Sequence, residues 1–260
     1  MPARISTAWR ALRTGFAFAA LGLISLWLGA VWLPFRGLWD RSNPEPWRRA
    51  QRAIQRAYRL HAGLMKALGL IEVSWIGAER LSAPGRKIIV ANHPSLIDTL
   101  LIVSRLPQAD CVVGREYAEN RWLRGAVRAA DYISNDVGAA EIVRVAVRYL
   151  SEDRTLLVFP EGTRSPENGL GPFQRGAAHI ALESGLDLLP VSITVEPPSL
   201  MKGQKWYHVP PRRPRWTFRV GESLVAKEYL DGTESTVMAA RKLTTALRAR
   251  FAGGSSDATE

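Results

Sequence analysis

The sequence predicts an α/β fold, a mixed and mostly parallel sheet flanked by helices, preceded by an N-terminal membrane helix. Three observations predict it. Past Gly69, short apolar runs rich in β-branched residues alternate with helical stretches. Two of those runs end in polar segments, Asn92 to Asp98 and Phe159 to Ser165, as strands of an open α/β sheet do where they carry a site. Ahead of them, Thr14 to Phe35 holds no charged residue across 22 positions, long enough to cross hydrocarbon.

Arg4, Arg10 and Arg13 precede this apolar stretch, and Arg36, Arg41, Arg48, Arg49, Arg52, Arg56 and Arg59 follow it. That bias keeps the C-terminal side in the cytoplasm and leads us to expect a bacterial inner-membrane protein with its globular part on the cytoplasmic face. A cleaved signal peptide is the rival, but its apolar region is normally shorter and no small-residue cleavage site stands before Pro34-Phe35-Arg36. Trp9, Trp32 and Trp39 lie near the two ends, where indoles prefer the headgroup level. They suit a full span and a re-entrant helix equally.

After the turn signal Ser42-Asn43-Pro44-Glu45-Pro46, Trp47 to Leu70 places Trp47, Ala50, Ile54, Tyr58, His61, Met65 and Leu68 at helical spacing, with Arg48, Arg52, Arg56 and Arg59 on another side. Such a basic amphipathic helix suits an anionic lipid surface or packs on the globular domain with a solvated basic face. His61 is expected at the interface.

The globular elements then follow in pairs. Ile88 to Ala91 is a strand before a helix from Pro94 to Arg105, and Cys111 to Val113 is a strand before a helix from Ala118 to Ala129. Tyr132 to Ser134 is a short strand, and a helix from Ala139 to Ser151 leads into the strongest strand, Leu156 to Phe159. A helix from Gly176 to Ser184 precedes the strand Leu189 to Val195, and Trp216 to Val220 reads as an edge strand. Between the last two, Glu196 to Arg215 is rich in Pro and basic residues and predicts an irregular excursion whose Trp206-Tyr207 pair touches lipid. A final helix spans Ser235 to Phe251, and Ser255 to Glu260 has the composition of a frayed tail. The implied division is an anchor and linker over 1–46, a basic helix over 47–74, a globular domain over 75–252 and a tail over 253–260.

A net charge of +11 raises nucleic acid as a partner, and its distribution removes it. Residues 1–75 hold 11 Lys/Arg against 3 Asp/Glu, so the basicity is membrane-proximal and no strongly basic globular face remains for phosphodiester binding. The single cysteine, Cys111, sits in an apolar run and builds neither a disulfide framework nor a thiolate metal cluster. No metal-ligand spacing is present and no cofactor is expected.

The first chemical segment is Asn92-His93-Pro94-Ser95-Leu96-Ile97-Asp98. On a regular helix His93 and Asp98 would lie roughly 140° apart, so His93 must precede the helix, as Pro94 encourages, while Asp98 reaches back from one turn in. A neutral imidazole takes a proton from a hydroxyl, and a carboxylate on its other nitrogen fixes the tautomer and steadies the imidazolium. The competing account is a capping turn in which Asp98 favours the helix dipole. Ser95 lies beside His93, but no Gly-x-Ser-x-Gly elbow marks it as a nucleophile.

The second segment is Phe159-Pro160-Glu161-Gly162-Thr163-Arg164-Ser165. Gly162 lets backbone approach a ligand, Thr163 offers a hydroxyl and Arg164 a planar fork for phosphate, with Glu161 placed to orient Arg164 or an acceptor hydroxyl. A polar turn closed by a local ion pair is the alternative.

Together the two segments resemble the HxxxxD and FPEGTR blocks of the glycerolipid acyltransferase family, which includes 1-acylglycerol-3-phosphate acyltransferases. The resemblance runs from Trp75 to Val195, and Gly114-Arg115-Glu116, Asp131 to Asn135 and Leu189-Pro190-Val191 fit it in order. It implies that His93 is the base and Asp98 its partner, and that Arg115 and Glu161, Gly162, Thr163 and Arg164 bind substrate. It further implies no metal, with an acyl-CoA or acyl-carrier-protein thioester as donor, a lysophospholipid or related lysolipid as acceptor, and membrane lipids as surroundings. Where many lysophosphatidate enzymes carry an arginine, this chain has Asn135 followed by Asp136, which suits a phosphomonoester dianion poorly. Asn92 to Asn135 and Pro198 to Pro210 look more like bacterial lysophospholipid-acyltransferase-like proteins. A hydrolase using the same pair and a non-enzymatic lipid-binding protein on this fold are the rival functions.

Overall fold

The apolar runs form seven strands, β1 (Glu72–Ile76), β2 (Ile88–Ala91), β3 (Asp110–Val113), β4 (Ile133–Ser134), β5 (Leu156–Val158), β6 (Leu188–Glu196) and β7 (Arg215–Val220), joined in the order β1-β7-β6-β2-β5-β3-β4. Among the described strands only β6 and β7 pair antiparallel, so the sheet is mixed and mostly parallel. The computed structural model describes residues 2–32, 35, 45–121, 123–167, 169–230 and 235–253. Arg36, Trp39, Arg41, the turn residues Ser42-Asn43-Pro44 and the tail from Ser255 lie outside them.

Period-2 alternation sends the strands' side chains to two separate cores. Ile89, Ala91 and Leu157 face one, shared with α1 (Pro2–Trp27), α2 (Pro46–Ala67) and α4 (Asp98–Val103). Ile88, Val90, Leu156 and Val158 face the other, shared with α7 (Ala139–Ser151), α8 (Gly176–Ser184) and α9 (Thr236–Gly253). Three short α-helices, α3 (Glu79–Ser82), α5 (Arg115–Glu119) and α6 (Arg124–Ala129), are also present among the described residues.

The N-terminal helix α1 continues as a π-helical turn over Leu28–Trp32, and Ala8–Trp32 is long and apolar enough to cross a membrane, with mean hydropathy 1.8. It lies against the domain. Ala17 and Leu28 are buried, while Trp9, Leu12, Phe16, Leu23, Trp27 and Val31 stay exposed along its outer side. Close approach is permitted by glycine: a Cβ on Gly125 of α6 would come 2.5 Å from the carbonyl oxygen of Gly29. The irregular excursion between β6 and β7 packs on α1 as well, Trp206 lying against Gly15 and Phe18, and Arg10 donating to the carbonyl of Pro210 at 2.8 Å.

Helix α2 starts with Pro46 in its first turn and buries Ala50, Ile54 and Met65, leaving Arg52, Arg56 and Arg59 exposed. Its packed face is also polar. Gln51 donates to Asp110 at 2.7 Å and Gln55 to the Ser104 carbonyl at 3.0 Å. His61 is buried rather than interfacial, and burial lowers its pKa from the usual value.

Four local expectations are corrected. Glu72–Ile76 forms β1, which pairs parallel with β7, so β7 is an interior strand and not an edge. The helix expected from Pro94 begins only at Asp98, because residues 94–97 are spent on a turn closed by the Asp98 side chain. Asp98 therefore stands at the helix start rather than one turn in. The stretch 118–129 splits into α5 and α6 around an extended Asn120.

Candidate active site

The carboxyl ends of β2, β5, β3 and β4 lie side by side, and the polar segments that follow them meet there. His93, just beyond β2, sits before the helix as its spacing demands. Its Nδ1 lies 3.0 Å from Asp98 Oδ2, and its ring stacks on Phe159 with centroids 4.4 Å apart. Asp98 is 0% exposed and receives two more donors, the Ser95 backbone N–H at 2.6 Å and the Trp216 indole N–H at 3.1 Å. Burial pushes the Asp98 carboxyl up, against the opposing pull of His93 and these donors. With Nδ1 turned to the carboxylate, the other ring nitrogen is the one available to accept a proton.

Glu161 ties the two motifs together. Its Oε1 accepts from the His93 backbone N–H at 3.1 Å and the Ser165 hydroxyl at 2.7 Å, and its Oε2 from the Gly171 N–H at 2.8 Å. The Ser165 N–H returns to the His93 carbonyl at 2.8 Å. Only 5% exposed and outside the cavity lining, Glu161 sets the relative position of two loops instead of presenting its carboxylate to a ligand. Gly162, in the left-handed region at φ 66°, turns the chain so that Gly162 and Thr163 reach the cavity.

Arg164 also lines the cavity, with one guanidinium nitrogen donating to the carbonyls of Leu200 and Met201 at 3.2 and 3.0 Å. It thereby joins the site to the excursion after β6. Arg115 is placed elsewhere: its side chain is exposed, pairs with Glu119 at 2.7 Å one turn along α5, and does not line the cavity. Ser95 is fully buried and donates to the Ser199 carbonyl at 2.9 Å, turned away from the cavity.

The cavity itself encloses about 1910 Å³. On the α1 and α2 face of the sheet it is apolar, lined by Phe18, Leu21, Leu28, Ile54, Leu100 and Val103. On the α7 and α8 face the lining gains polar groups, Asn135, Arg144, Arg175, His179 and Glu183, among apolar ones such as Ile142, Val143 and Ile180. Trp216 and Arg175 were not singled out from the sequence, since nothing in their local spacing ties either residue to the segments at 92–98 and 159–165. Cys111 is buried against the apolar part, and burial raises its thiol pKa far above the ordinary value. Among the described residues no group of three or more His, Cys, Asp or Glu is placed to hold a metal.

Residues 71–194 match the family model described as Acyltransferase. Among curated proteins, the 1-acyl-sn-glycerol-3-phosphate acyltransferase of Limnanthes alba is 35% identical over 117 residues, covering 42% of this chain and 41% of that protein. The 1-acyl-sn-glycerol-3-phosphate acyltransferase alpha of Mus musculus is 31% identical over 150 residues, 53% of this chain and 50% of that one. The matches thus span half or less of these relatives' length. The crystal structure of the 1-acyl-sn-glycerophosphate acyltransferase PlsC from Thermotoga maritima shares the fold, with a TM-score of 0.71 over 98% of both chains at 21% identity.

Proposed function

We propose, from the match of residues 71–194 to the Acyltransferase family model, that this chain moves a fatty acyl group from an acyl-CoA or acyl-carrier-protein thioester to the hydroxyl of a lysophospholipid or related lysolipid. One observation carries the reading: the His93–Asp98 pair stands where a long apolar cavity becomes polar. The apolar part is suited to acyl chains and the polar part to the charged portions of the substrates, with the reacting carbonyl beside His93.

In this reading His93 removes the proton from the acceptor hydroxyl as its oxygen attacks the thioester carbonyl. Asp98 stabilises the imidazolium, and the proton passes to the departing thiolate as the tetrahedral intermediate collapses. Glu161 holds the two loops in register, and Arg164 offers its remaining N–H groups to the acceptor's polar head. The exposed apolar stripe of α1, Trp9 to Val31, supports attachment to a membrane from which the lysolipid is drawn.

The test is product analysis with a labelled acyl thioester, with and without added lysolipid. Acylated lysolipid formed only when the acceptor is present is the expected result. Free fatty acid released equally in both mixtures identifies a hydrolase, and no turnover with any acceptor supports a binding protein.

A further inference from the structure

The cavity has two ends on opposite faces of the sheet. The apolar end lies beside α1, whose outer side carries the exposed apolar stripe, whereas the polar end runs between α7 and α8. A membrane-resident acceptor approaches from the first side. A water-soluble thioester has no reason to cross that apolar stripe, and the α7–α8 end gives it a solvent-facing route to His93.

Three arginines line the cavity, and they differ in engagement. Arg144 is held by Glu141 on its own helix through two hydrogen bonds, one of 2.8 Å. Arg164 donates to the Leu200 and Met201 carbonyls. Arg175, exposed at the start of α8, makes no side-chain hydrogen bond or ion pair among the described residues. The lining on this side also includes Ala140 on α7, and His179 and Glu183 about one and two turns beyond Arg175 along α8. An anion is therefore favoured at the Arg175 end and disfavoured beyond His179.

We propose that the α7–α8 groove receives the phosphate-bearing arm of the acyl donor and that Arg175 holds its phosphate. This rests on the acyl-transfer reading above. It assigns the two substrates to opposite faces of the sheet and meets them at His93.

The experiment uses the full chain in detergent micelles, comparing wild type with Arg175→Gln, Arg175→Lys and Ala140→Trp, the last filling the groove without changing charge. Donors are an acyl-CoA and the S-acyl-N-acetylcysteamine with the same chain, which lacks phosphate. Arg175→Gln is expected to raise the KM for acyl-CoA about tenfold, equivalent to ~1.4 kcal/mol, and to leave the KM for lysolipid and for the phosphate-free thioester within about twofold. Lysine should recover part of the loss, and Ala140→Trp should raise the acyl-CoA KM. An unchanged acyl-CoA KM in Arg175→Gln overturns the proposal, whatever Ala140→Trp does. So does a shift in the lysolipid KM alone, which would make the phosphate the acceptor's. If wild type transfers no acyl group the enzymatic reading itself fails, and calorimetric titration with coenzyme A still decides the groove: binding weakened about tenfold by Arg175→Gln supports it, whereas absent or equal binding refutes it.

Discussion

Trp216 donates its indole N–H to Asp98 Oδ1 at 3.1 Å, so a residue of β7, 118 positions away in sequence, helps hold the carboxylate that orients His93. Trp216 is wholly buried, and its donor is one of three groups facing Asp98. Trp216→Phe keeps most of the ring volume and removes the donor. The variant should lose about 1–3 kcal/mol, the cost of leaving a buried carboxylate oxygen unsatisfied, and turnover should fall through Asp98 although Trp216 lies outside the cavity lining. The pH dependence gives the sign. Because the folded-state pKa of Asp98 is already raised above the ordinary 3.8, ionised Asp98 detracts from stability above its folded pKa, and the protonated form is favoured as pH falls. Denaturation curves should show the variant's deficit largest near neutral pH and shrinking toward pH 4. A deficit that grows on acidification would contradict this role.

His93→Ala should lower turnover by roughly 10² to 10⁴, the usual contribution of a positioned base, without comparable loss of lipid binding. Asp98→Asn should damage turnover as well, since an amide no longer stabilises imidazolium. Ser95→Ala is the internal control. Its hydroxyl bonds the Ser199 carbonyl, so the substitution should cost about 0.5–1.5 kcal/mol of stability and leave turnover largely intact. Steady-state kinetics alongside thermal melts separate these outcomes, and abolition by Ser95→Ala with His93 dispensable would demand a covalent route instead.

Lysophosphatidate should not be the preferred acceptor. Asn135 lines the cavity as a neutral side chain that accepts the Arg115 backbone N–H at 2.9 Å, while the Arg115 guanidinium pairs with Glu119. Neither supplies a second cation for a phosphomonoester dianion. Competition between matched lysolipids measures this directly. A kcat/KM for lysophosphatidate tenfold or more above that of every phosphodiester acceptor, ~1.4 kcal/mol, would show that one arginine suffices.

The helix α2 is held to the domain by a buried charge cluster at the end of the sheet opposite the site. Arg154, 1% exposed, pairs with Asp110, reaches Asp131 at 3.0 Å and lies over the rings of Tyr149 and Trp47 at 3.6 and 3.8 Å. Arg154→Met should cost about 3–5 kcal/mol, because it leaves the buried Asp110 with Gln51 but without its cation. Adding Asp110→Asn should recover part of that loss. Chemical denaturation of the single and double variants reads both numbers, and a double variant no more stable than Arg154→Met would place the cost in lost ring packing rather than in charge.

Salt near 1 M shortens the Debye length to about 3 Å and weakens Arg contacts with anionic lipid, but leaves apolar burial in place. The protein should therefore stay in the membrane pellet after such a wash and need detergent for release. Complete extraction by salt would show that the stripe from Trp9 to Val31 on α1 is not inserted.

The two motif segments were legible in the sequence because each is local: His93 must precede the helix that Asp98 joins, and both segments follow apolar runs whose alternation marks them as strands. The apolar N-terminal stretch and the basic face of α2 were legible for the same reason, since composition and a 3.6-residue period need no knowledge of distant partners. What the sequence left open depends on residues that meet only when the sheet is assembled. Glu161 reads in the sequence as a substrate ligand, and only the fold shows its carboxylate accepting from the backbones of His93 and Gly171. Arg115 is engaged by Glu119 on its own helix, and β1 enters the sheet only through its distant partner β7. Local pattern determined the elements and set His93 beside Asp98; packing across the sheet decided which carboxylates and cations face the cavity, because burial and hydrogen-bond geometry are set by neighbours that the order of the chain does not name.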